Sequence, residues 1–113
     1  MAAPKHNLTI DQGSDFVFDL VVSDKGAVKD LTGYSARSHI RSRRSSSTLA
    51  GSFTCTVLSP ATNGVVKMEL PNATSSGMAA GLYFYDLEIF TSGNAIVKRI
   101  LQGEIILTPE VTR

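Results

Sequence analysis

The chain has 113 residues, a formal net charge of +1, 42% hydrophobic and 19% charged side chains. That is enough for one domain with its own core, and too apolar for a disordered segment. The near-zero charge gives no global field toward nucleic acid or anionic lipid, and the single cysteine, Cys55, excludes an internal disulfide framework and a cysteine-based zinc cluster.

Period-two alternation of apolar and polar residues recurs along the chain, and helical periodicity is nearly absent. A first strand is predicted over residues 5–10 and a second over 15–23, with Phe16, Phe18, Leu20 and Val22 on one face. Asp24-Lys25-Gly26 reads as a turn, followed by a short strand near 27–31. Residues 33–43 alternate clearly: Tyr34, Ala36, Ser38 and Ile40 point to a core, while Ser35, Arg37, His39, Arg41 and Arg43 point to solvent or a partner. Arg44-Ser45-Ser46-Ser47-Thr48 is a polar loop.

Residues 51–58 and 65–70 are predicted as an antiparallel pair, with Asn63-Gly64 supplying the turn chemistry. Cys55 sits in the alternating run Phe53-Thr54-Cys55-Thr56-Val57, where a small buried hydrophobe is expected rather than a reactive thiol. Residues 71–80 offer one helical turn, which Asn72 can cap and Met78 can anchor. Residues 82–91 and 95–107 then pair as a hairpin around Ser92-Gly93-Asn94, and a bulge or bend is expected at Gly103.

Strands of this number and spacing describe an all-β domain. The expected architecture is an immunoglobulin-like antiparallel β-sandwich of seven to eight strands with one short helical turn, spanning residues 1–113 as a single domain. The expected core comprises Phe16, Phe18, Leu20, Tyr34, Ile40, Val66, Met68, Leu70, Tyr83, Tyr85, Leu87 and Ile89. If Tyr83 and Tyr85 face inward, each hydroxyl needs a partner. Leu82, Phe84 and Phe90 then face out, covered by the helical turn or by another subunit.

Candidate chemistry is sparse. Arg37, Arg41, Arg43 and Arg44 are the one concentration of charge, and arginine serves both phosphate recognition and protein interfaces. With near-neutral overall charge and no interleaved aromatics, a solvated or protein-contacting face is favoured over nucleic acid. His6 and His39 lack partners at metal-ligand spacing, and no nucleophile elbow, phosphate loop or triad is visible. No enzymatic activity, metal, cofactor or small-molecule substrate is therefore expected. The last strand, longer than its hairpin partner, is expected to leave backbone groups open for strand addition by a neighbour, with pairing ending before Pro109 and with Val111 and Arg113 making intersubunit contacts.

No apolar run reaches the roughly 20 residues of a membrane helix. The start, Met1-Ala2-Ala3-Pro4-Lys5-His6, lacks a signal-peptide apolar region, so synthesis in a cytoplasm without secretion is expected. The glycosylation sequons Asn7-Leu8-Thr9 and Asn72-Ala73-Thr74 are then chance matches.

Several segments, in order, resemble small virion and tail proteins of tailed bacteriophages, in particular the N-terminal domain of baseplate upper proteins. They are Ile10-Asp11-Gln12-Gly13-Ser14-Asp15-Phe16; Asp30-Leu31-Thr32-Gly33-Tyr34-Ser35-Ala36-Arg37 with Ile40-Arg41; and Gly81, Tyr83, Tyr85-Asp86-Leu87 with Gly103, Pro109, Glu110, Val111 and Thr112. The resemblance implies a β-sandwich adaptor in a symmetric virion assembly, partnered by other virion proteins and copies of itself, with no catalytic residues. It implies a virion location after synthesis in a bacterial host. Alternatives are a capsid decoration protein and a single-stranded nucleic-acid-binding module using Arg37–Arg44.

Overall fold

The computed structural model describes residues 4–24 and 26–111. Its strands are β1 (Leu8–Asp11), β2 (Phe16–Val21), β3 (Ser23–Asp24), β4 (Ala27–Val28), β5 (Ser35–Arg41), β6 (Gly51–Val57), β7 (Val65–Leu70), β8 (Gly81–Phe90) and β9 (Val97–Thr108). Among the described residues one short α-helix, α1 (Asn72–Ser76), precedes β8. Seven strands form one sheet in the order β1-β9-β8-β5-β6-β7-β2, and β3 and β4 make a separate two-stranded ribbon.

The all-β expectation holds, but the antiparallel immunoglobulin-like sandwich does not: the seven strands form a nearly closed, barrel-like mixed sheet. Two features make it so. The beginning of β6 pairs with β5 (Phe53 opposite Ser38) and its end pairs with β7 (Val57 opposite Val66), so one strand carries the ladder round a corner. In addition, β1 lies parallel to the end of β9, with Leu8 opposite Ile105 and Asp11 opposite Thr108. The sheet edges are therefore β1 and β2, which are consecutive in the chain. A turn in which the Ser14 N–H donates to the Asp11 carbonyl (3.1 Å) joins them, and the His6 ring stacks on Phe18 with centroids 5.1 Å apart.

The strand alternation places the core inside this curl. Ile40, Val66, Met68, Leu70, Tyr83, Tyr85, Leu87 and Ile89 are buried as expected, and Phe16, Phe18, Leu20 and Tyr34 pack against them half-buried. Leu8, Ile10, Leu31, Phe53, Leu101, Ile105 and Leu107 join them. The Tyr83 hydroxyl donates to the Ala79 carbonyl and the Tyr85 hydroxyl to the His6 carbonyl, which meets the demand for buried partners.

α1 sits against the β1–β2 turn. Ser75 is fully buried, and its Oγ accepts the Gly13 N–H at 3.0 Å. Met78 is buried and anchors the segment, but Asn72 is not its cap: Pro71 occupies that position. The Asp15 carboxylate, from the β1–β2 connection, accepts the Asn72 N–H at 2.8 Å and serves the open helix end from a distant part of the chain.

The expected bulge at Gly103 is also displaced. The register of β8 and β9 shifts between Leu87 and Glu88, which face Leu101 and Arg99. Gly103 serves a different purpose. The N-terminal segment crosses there, with Lys5 bridged to Gln102, and a Cβ at Gly103 would collide with the His6 carbonyl. The backbone of β9 expected to be open is paired by β1, whereas regular pairing does end at Thr108, before Pro109.

Candidate functional site

The outer face of β5, β8 and β9 carries a cleft of about 290 Å³. It follows from register. On β5, Arg37, His39 and Arg41 alternate outward, and on β8 so do Phe84, Asp86 and Glu88. Pairing sets Arg37 opposite Glu88, which in turn faces Arg99 on β9. One end of the cleft has Arg41 opposite Phe84, and Phe84 opposite Glu104. Gln102 and Gly103 complete the lining on β9, and Arg44 reaches in from the turn after β5.

The charges are not equivalent. Arg37 Nε lies 2.9 Å from Glu88 Oε1, its Nη1 donates to Asn94 Oδ1 at 3.3 Å, and its guanidinium covers the Phe90 ring at 4.4 Å from the centroid. Arg99 Nε lies 3.3 Å from Asp86 Oδ2. These pairs are partly exposed, so each adds well under about 1 kcal/mol to stability; their effect is to hold the guanidiniums in place. Arg44 lies over Phe84 at 5.2 Å from the ring centroid. Arg41 Nη1 is buried and has no hydrogen-bond partner among the described residues. Four arginines thus line the cleft against two carboxylates, and both carboxylates are taken by Arg37 and Arg99.

Of the residues singled out from sequence, Arg37, Arg41 and Arg44 come together here. Arg43 lies beyond the end of β5, exposed and outside the cleft. Val111 is 91% exposed and does not line it, and Arg113 falls outside the described residues. The aromatics Phe84 and Phe90 are covered by guanidiniums rather than by the helical turn, while Leu82 remains 51% exposed. Arg99 and Gln102 were not singled out; only the registers of β5, β8 and β9 bring them to Arg37 and Arg41.

The remaining ionisable features belong to the scaffold. Burial pushes the Cys55 thiol up to about 11 and the Tyr85 phenol up to about 12. The Asp30 carboxyl is held below its ordinary value by the Thr32 hydroxyl and then by the Thr32 N–H, both of which donate to Oδ1 (2.6 and 2.9 Å). This fixes the turn between buried Leu31 and Tyr34 at the mouth of β5. Among the described residues, no three His, Cys, Asp or Glu side chains are grouped to hold a metal ion, and no helix is long and apolar enough to cross a membrane.

No protein-family model matches the chain, and no curated protein matches it. Among solved structures, it is similar to InlP of Listeria monocytogenes, with a TM-score of 0.51 and 11% identity over 94% of this chain and 28% of that one. A family 123 glycoside hydrolase from Clostridium perfringens, described for glycolipid glycan hydrolysis, aligns with a TM-score of 0.41 and 11% identity over 96% of this chain and 23% of that one. The chain thus spans about a quarter of the length of either protein. At this identity the first likeness bears on fold alone, and the second is too loose to carry an argument.

Proposed function

We propose that the chain is a structural module of a bacteriophage virion, in the tail, baseplate or head–tail region, that works through protein–protein contacts on the outer face of β5, β8 and β9. The observation that carries the contact reading is the cleft: guanidiniums are held in fixed positions by carboxylates and aromatic rings before any partner arrives. Pre-positioned arginine loses less freedom on binding, and it is enriched at protein interfaces. The virion assignment rests on the resemblance carried by the Asp30-Leu31-Thr32-Gly33-Tyr34 segment, the β1–β2 turn and the terminal hairpin.

Phe84 and Phe90 interleave with arginines on this face, as a single-strand binder would require. However, each ring already has a guanidinium over one face, and Asp86 and Glu88 stand along the path a phosphate backbone would follow. Protein contact is therefore the reading adopted.

The test is mass spectrometry of purified phage particles with copy-number determination. A component present in three-fold or six-fold copies per particle supports the tail reading, and lattice-wide copy number replaces it with capsid decoration. Absence from particles refutes the virion role. Charge reversal at Arg37 and Arg41 is expected to reduce incorporation while leaving the isolated fold intact.

A further inference from the structure

We propose that the Arg41–Arg44 end of the cleft is a receptor for a single carboxylate, supplied by an aspartate or glutamate in an acidic segment of a partner protein. This deepens the protein-contact reading and rests on it.

The cleft has two electrostatically distinct ends. At one, Arg37 and Arg99 have Glu88 and Asp86 for counter-ions. At the other, neither Arg41 nor Arg44 has an ion pair among the described residues. Glu104 stands in the same cross-strand row as Arg41 and Phe84, yet it pairs with neither arginine. Arg41 is Phe84's cross-strand partner by register, Arg44 lies over the Phe84 ring, and all three line the same cleft. The buried Nη1 of Arg41 is a charged donor without an acceptor, which is the costly half of a hydrogen bond; a carboxylate oxygen arriving through the cleft completes it.

The neighbouring groups select the size of the anion. Asp86 lies further along the cleft, and Glu104 lies across the row from Phe84. A polyanion that tracked the face would meet carboxylates on both sides, whereas one carboxylate at the Arg41–Arg44 end escapes that repulsion. The methylene stem of an aspartate or glutamate finds apolar surface on Phe84, which lines the cleft with Arg44 over its ring.

The test is an NMR titration of the full chain, following the arginine Nε–Hε resonances. The ligand is an acetylated and amidated hexapeptide, Gly-Ser-Glu-Glu-Ser-Gly, and its twin with glutamine in place of both glutamates is the control. Inorganic phosphate and dodecathymidylate form two further arms. The glutamate peptide is expected to move the Arg41 and Arg44 resonances ahead of those of Arg37 and Arg99, with no response to the glutamine twin. R41Q and R44Q should each weaken binding about tenfold. Arg44 lies on an exposed turn, so R44Q tests the same end of the cleft without touching a buried atom.

An equal response to the glutamine twin, or no response at millimolar peptide, overturns the proposal. Phosphate that matches the peptide reduces the site to a general anion site and also overturns it. Tighter binding of the oligothymidylate transfers the site to nucleic acid. The titration is independent of the particle experiment: a chain that binds the peptide but is absent from virions loses only the virion role, and a virion component with unresponsive arginines loses only the carboxylate receptor.

Discussion

Three residues of the barrel wall, Gly103, Cys55 and Tyr85, show how a single side chain, or its absence, constrains the whole. Gly103 lies where the His6 carbonyl crosses β9, and any Cβ there meets backbone that cannot rotate away. Gly103→Ala is therefore expected to cost about 2–3 kcal/mol in chemical denaturation. Gly77→Ala serves as the control: its nearest neighbour lies 3.7 Å from an added Cβ, its φ is −83°, and its cost should stay within about 0.5 kcal/mol. Cys55 and Tyr85 make stability sensitive to alkaline pH. Both folded-state values are raised by burial, from 9.0 to about 11 for Cys55 and from 10.0 to about 12 for Tyr85. Below the lower, ordinary values both groups are neutral in the folded and unfolded chain alike, so their contribution is complete. Above them the unfolded chain ionises first, and stability falls until the folded value is passed. Thermal melts should be insensitive to these groups up to pH about 8 and decline from about 9 upward, and Cys55→Ala should delay the onset.

At the scale of elements, α1 is too short to persist on its own. It is held by Met78 in the core, by Ser75 against the β1–β2 turn, and by Asp15 at its open end. Asp15→Ala should destabilise the protein by about 1 kcal/mol, and Asp15→Asn should recover part of that, because an amide oxygen still accepts the Asn72 N–H. Equal stability of all three proteins in urea would show that the helix end is served by water instead. β2 gives a complementary case. It is an edge strand whose outward Val17 and Val21 are more than half exposed, while its inward Phe16, Phe18 and Leu20 pack on the core. Val17→Ala should change stability by less than about 0.5 kcal/mol.

For the whole molecule, the decisive fact is that one sheet curls until it is nearly closed, rather than two sheets facing each other. The core therefore belongs to a single enclosure, and strands far apart in sequence order share it: Ile10 from β1, Met68 from β7 and Ile89 from β8 are all buried. Ile89→Ala should cost about 2–5 kcal/mol, measured by thermal or denaturant unfolding, because neither neighbour in a curved sheet can move in to fill the space. Wild-type stability in that variant would contradict the inward assignment of β8. Closure also leaves the outer face free for contact. Arg37 and Arg41 can vary with little loss of stability because they stand outside the enclosure.

Alternation alone established the all-β class, most strand positions, the inward sets on β5, β7 and β8, and the outward set of arginines, because period two is imposed by the pleat of each strand separately. It could not decide sandwich against barrel. That depends on β6 changing partners midway and on β1 joining β9 in parallel, and a ladder between residues nearly 100 positions apart leaves no mark in local spacing. The same limit applied to the cleft. Arg37, Arg41 and Arg44 were legible as a charged face, but the counter-ions Glu88 and Asp86, the rings of Phe84 and Phe90, and the arrival of Arg99 are consequences of register between β5, β8 and β9. Sequence set which side of each strand a residue occupies; only tertiary pairing set who stands beside it, and so left Arg41 and Arg44 without the carboxylates that Arg37 and Arg99 had already taken.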